Sequence, residues 1–71
     1  MIRINDLEFP WREGMTLGDA VKAAQGDSRL APLADQGLIM LNGSVVGRSE
    51  AARIKLREHD VVVLLTLSTG G

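Results

Sequence analysis

The residues best placed to do chemistry are the last two, Gly70 and Gly71, which follow the apolar run Val61-Val62-Val63-Leu64-Leu65-Thr66-Leu67. An end of this kind has no side chains, little bulk and a free carboxylate. It can enter a narrow site in another protein and present that carboxylate to reaction there. Two terminal glycines arise by chance in roughly 0.5% of chains. The 8 glycines among 71 residues raise that figure about threefold, so the preceding residues must decide.

No other constellation in the chain competes. Cysteine is absent, which excludes disulfides, thiolate metal sites and thiol nucleophiles. The one histidine, His59, stands between Glu58 and Asp60 and reads as a solvated turn residue rather than a ligand or base. No metal site is expected. Trp11 reads as packing against a sheet edge, and Arg53, Lys55, Arg57 and Glu58 as a solvated charged segment. A net charge of −1 leaves no electrostatic footprint for nucleic acid or an anionic membrane. No basic-then-apolar signal pattern opens the chain, and no apolar run approaches the ~20 residues of a membrane span. A soluble, cytoplasmic protein is expected. The 45% apolar content suits one small globular domain.

The elements that must position the terminus follow from local pattern. Ile2 and Ile4 alternate with Arg3 as in a half-buried strand, Asn5-Asp6 supplies turn chemistry, and Leu7 to Trp11 returns as a second strand. Pro10 cannot donate to a ladder, which places that strand at a sheet edge. Thr16 caps a helix, its hydroxyl accepting from the Asp19 N–H, with Leu17, Ala20, Val21 and Ala24 as the apolar stripe. Gly26 ends this helix as a C′ residue, and Gly18 within it admits close approach of helix and sheet. Asp27 to Gln36 reads as an irregular connection with Leu30 and Leu33 over the core edge. Leu38 to Leu41 and Ser44 to Val46 form a hairpin about Asn42-Gly43, where both residues accept positive φ. A crossover from Gly47 to Leu56 includes a helical turn around Ser49 to Arg53. The turn Glu58-His59-Asp60 leads into the last strand, Val61 to Leu67.

Hairpin, helix, hairpin, crossover and final strand is the order of an α+β fold of β-grasp (ubiquitin-like) type. It has a mixed four- to five-stranded sheet with one helix on one face, and its last strand sits centrally, parallel to the first. Residues 1–67 would form the domain and 68–71 a tail. The last strand carries two apolar sets, yet a helix covers only one face. Pattern alone buries Val61, Val63, Leu65 and Leu67, which lack a polar member; the β-grasp analogy buries Val62 and Leu64. The analogy is followed here.

The stretch Leu41-Asn42-Gly43-Ser44-Val45-Val46-Gly47-Arg48-Ser49-Glu50 resembles the middle of the thiamine-biosynthesis sulfur carriers. Those proteins run from a buried strand through Asn-Gly to Val-Val, a small residue or Pro, Arg and Ser-Glu. The Thr16-Leu17 helix start, the apolar last strand, the terminal Gly-Gly and the length fit as well. Departures are Ala51 where Trp is frequent, Glu58-His59-Asp60 in place of Asp-Gly-Asp, and Ser68-Thr69 before the glycines. They widen the choice to sibling carriers such as the small subunit of molybdopterin synthase.

The resemblance implies a protein co-substrate rather than an enzyme. An E1-like adenylating enzyme would use ATP and Mg²⁺ to activate the Gly71 carboxylate, and a persulfide enzyme would supply sulfur to make a thiocarboxylate. A thiazole synthase would then receive the sulfur. ATP and metal would belong to the partner, since this chain has no phosphate-binding loop, so no cofactor of its own is expected. Gly71 is the expected reacting residue and Gly70 the access residue. Val63, Leu65 and Leu67 are expected to dock partners, with Arg48 as a polar contact, and the free chain to be a monomer. Two alternatives stand beside these carriers: a ubiquitin-type modifier joined to lysines, and an interaction domain whose tail is irrelevant.

Overall fold

The computed structural model describes residues 1–66. The first hairpin joins β1 (Ile2–Ile4) to β2 (Leu7–Phe9) through Asn5, which takes the left-handed conformation at φ 55°. Strand β2 stops before Pro10 and lies at the sheet edge, as its missing donor requires.

Helix α1 (Leu17–Gln25) starts with a reciprocal capping box. The Asp19 N–H donates to the Thr16 hydroxyl (3.1 Å) and the Thr16 N–H to the Asp19 carboxylate (3.0 Å). Leu17, Ala20, Val21 and Ala24 face the core, as their spacing implies. Gly18 does admit a close approach, but of Ala52 rather than of the sheet. A Cβ there would lie 3.3 Å from the Ala52 Cα.

Two expectations need correction beyond α1. Gly26 ends the helix in an ordinary right-handed conformation (φ −81°, ψ −5°), because the chain keeps winding into a turn at Asp27 instead of reversing. The supposed irregular connection contains a second helix, α2 (Ala31–Gln36). Pro32 lies in its first turn, where the missing N–H costs nothing. Leu30 is buried and Leu33 packs against the core.

Strands β3 (Leu38–Leu41) and β4 (Ser44–Val46) turn about Asn42 and Gly43, at φ 49° and 89°. Helix α3 (Arg48–Ala51) is the short helix of the crossover, starting one residue earlier than the sequence implied. His59, exposed and at φ 73°, reverses the chain into β5 (Val61–Leu65). Trp11 packs against the core and donates its indole N–H to the Leu56 carbonyl at 3.0 Å. Arg53, Lys55, Arg57 and Glu58 are exposed.

The sheet order is β2-β1-β5-β3-β4, with β5 parallel to β1 and antiparallel to β3. The α+β, β-grasp architecture holds, with α2 added to the long helix and the helical crossover turn that were expected. The core joins Ile2 and Ile4, Ile39, Val62 and Leu64 to Leu17, Ala20, Val21 and Ala24.

Candidate functional site

Strand β5 separates its two apolar sets cleanly. Val62 and Leu64 are 0% and 1% exposed, whereas Val61 and Leu65 are 41% and 43% exposed. Val63 is half-buried. The β-grasp analogy therefore chose the right face and bare alternation did not.

Register extends the outer set into a patch. Val63 pairs with Met40 and Leu65 with Leu38 on β3, and Met40 pairs with Val45 on β4. Val45 is 61% exposed, while Met40 and Leu38 are half-buried. On the other side, Val61 registers with Arg3, which pairs with Glu8, giving the apolar strip a charged flank. A contiguous exposed apolar surface rimmed by charge is the usual form of a protein-docking site. Val63 and Leu65 lie within it. Leu67, Gly70 and Gly71, the remaining expected contact and reacting residues, lie outside the described residues.

Arg48 is engaged within the domain. Its guanidinium donates to the Gly37 carbonyl at 2.8 Å and lies 3.5 Å from the Leu33 carbonyl. It braces the junction of α2 and β3, although the residue as a whole remains exposed. Beside this junction a recess is lined by Pro32, Gln36, Gly37 and Thr66, where the chain leaves β5.

Two residues at the end of β5 escaped the sequence reading. Gly37 is buried, and a Cβ there would stand 2.5 Å from the Leu65 carbonyl oxygen and nearer still to that of Leu33. Only glycine fits. Asn5 reaches across from the first hairpin: its Oδ1 accepts from the Leu64 N–H at 2.8 Å, and its Nδ2 lies 3.3 Å from the Leu64 carbonyl oxygen, to which it donates. A glycine before a strand and an Asn in a turn gave no sign of these long-range contacts.

Shifted ionisation lies on the helix side, away from the open face. The Thr16 N–H bonded to its carboxylate holds Asp19 below its ordinary pKa of 3.8. The Arg29 side chain does the same for Asp27, and Asp27 in turn raises Arg29. These groups brace turns; nothing places them in chemistry. Among the described residues, no helix is long and apolar enough to cross a membrane.

A mixed five-stranded sheet with helices on one face, an apolar open face and a central last strand define a β-grasp domain. The ThiS family model matches residues 2–71, and the chain belongs to the ThiS family. Members are small sulfur carrier proteins rather than enzymes, which supports a sulfur-carrier role in thiamine biosynthesis. The crystal structure of a thiamine biosynthesis protein (ThiS) from Geobacter metallireducens is similar at 19% identity and a TM-score of 0.67. The match covers 99% of this chain and 97% of that one. That likeness speaks to the fold. No curated protein sequence matches the chain.

Proposed function

We propose that this chain carries sulfur as a thiocarboxylate on Gly71 and delivers it to thiazole formation in thiamine biosynthesis. The observation that carries the reading is the position of the apolar open face. Val63, Leu65, Met40 and Leu38 lie on the central strand β5 and its neighbour β3, beside the point where the chain runs on toward Gly70-Gly71. A partner seated on this face meets the emerging end at the same time.

A carboxylate is a poor acyl donor, so it must be activated. A carboxylate oxygen of Gly71 attacks the α-phosphorus of ATP on an E1-like partner, and pyrophosphate leaves. Mg²⁺, which that partner would hold, would supply neutralisation of the phosphate charge. The terminal sulfur of a persulfide then attacks the acyl carbon of the adenylate and AMP leaves, forming an acyl disulfide. A second thiol attacks the partner's sulfur of that bond, releasing the thiocarboxylate and leaving a disulfide behind. A thiazole synthase consumes the sulfur. Gly70 and Gly71 suit passage through a narrow channel because neither has a side chain to meet its walls.

Intact-mass measurement of the protein from its native host tests this. The expected result is a species whose mass matches one oxygen replaced by sulfur, and its loss when Gly71 is deleted. Higher-mass ladders of conjugates would overturn it in favour of a protein modifier. Full function of the chain lacking Gly71 would overturn it in favour of an interaction domain.

A further inference from the structure

We propose that Asn5 is a positioning residue for the transfer chemistry, fixing the end of β5 from which the reacting terminus departs. This rests on the carrier reading above. Strand β1 runs out of backbone before β5 does. Their parallel register ends at Ile4 and Val62, and the Asn5 N–H makes the last main-chain bond, to the Val62 carbonyl at 2.9 Å. At Asn5 the chain takes φ 55° and turns away into the hairpin. The next β5 groups on that edge, the N–H and C=O of Leu64, would be left without a strand partner.

The Asn5 carboxamide replaces the missing peptide, accepting from one and donating to the other. On the opposite edge, Leu38 pairs with Leu65, and the absent Gly37 side chain lets α2 close on the Leu65 carbonyl. Arg48 holds Gly37 in place. Thus β5 is gripped on both edges at its last two residues, two positions past the reach of β1. A strand gripped this way sets where the following residues start and in what direction they leave. That start decides how often a docked complex brings the carboxylate to the phosphate it must attack.

The other hairpin supplies an internal control. Asn42, also left-handed at φ 49°, grips the opposite end of β5: its Oδ1 accepts from the Val61 N–H at 3.0 Å. Its Nδ2 donates to Asp60 at 3.1 Å. Asn5→Gly and Asn42→Gly each keep the freedom for positive φ and remove a carboxamide, one near the departing end and one far from it.

The test measures Gly71 adenylation by the cognate activating partner, through ATP–pyrophosphate exchange, with full-length wild type and both variants. Amide hydrogen exchange at Leu64 and Val61 is followed in parallel. For Asn5→Gly the expected result is kcat lower by about tenfold with KM for the carrier little changed, since the docking face is intact. Leu64 exchange should quicken about fivefold. Asn42→Gly should quicken exchange at Val61 and leave kcat unchanged. Equal kcat losses in the two variants would reduce Asn5 to a structural role and overturn the proposal. Unchanged kcat or Leu64 exchange in Asn5→Gly, beside an active wild type, overturns it alone. Wild type that forms no Gly71-dependent adenylate overturns the carrier reading, and this role with it.

Discussion

The two faces of β3 and β5 are built from the same residue types and meet opposite fates. Ile2, Ile4, Ile39, Val62 and Leu64 lie under the helices. Leu38, Met40, Val61, Val63 and Leu65, no less apolar as a set, face outward from β3 and β5, with Val45 of β4 beside them. Side-chain chemistry therefore does not decide which face is core. The connections decide it, because α1, α2 and α3 all cross on one side. An apolar residue on the covered face works for the fold, and one on the open face is left exposed, available to the partner proposed above.

Four experiments would break or sharpen that contrast. The largest effect should come from Leu64→Ala, which removes a fully buried side chain from the middle of the covered face. A loss of about 2–5 kcal/mol is expected in urea unfolding. In a domain of this size that is a large share of total stability. A loss below about 0.5 kcal/mol would mean the covered face is not the core.

Gly37→Ala should cost about 1–3 kcal/mol by the same measurement, since the new methyl has backbone on two sides and no flexible side chain to yield. Leu65→Asp, one residue from Leu64 and on the other face, should change stability by less than about 1 kcal/mol. It should weaken partner docking about tenfold in a titration with the activating enzyme. Unfolding by Leu65→Asp would erase the distinction between the faces.

The smallest effect concerns the helices that make the difference. Asp19 and Asp27 titrate below 3.8 when folded, so the unfolded chain binds more protons in the window just under that pH. Stability from both groups should be intact above pH ~4 and decline as the pH falls through their depressed values. An Asp19→Asn variant should show a shallower acid slope in thermal melts recorded against pH.

Much of this architecture is legible in the residues. Alternation at Ile2 and Ile4, the Thr16–Asp19 cap, the 3.6-residue stripe of α1 and the Asn42-Gly43 turn are local signals, and each leads to its observed element. Helix α2 is not legible, because six residues with one buried member, Ala34, carry no period, and Pro32 looks like a loop residue. The burial of β5 required knowing where the helices cross. Arg48 reads in the sequence as a polar contact for a partner, and the carbonyl it bonds within the domain lies 11 residues away. Asn5 reads only as turn chemistry, since its partner stands 59 residues along the chain. Contacts of that span exist only once topology has brought the ends together.

That topology makes the last strand a weld. Among the described strands, β5 alone joins the β1–β2 hairpin to the β3–β4 hairpin, and a lone two-stranded hairpin is marginal in water. A chain truncated or damaged in β5 would be two unsupported hairpins without a continuous sheet. It would have neither a docking face nor a defined point of departure. Under the proposed function, quality control would thereby be built into the carrier: only a molecule with its last strand in place would offer the face proposed to dock its partners.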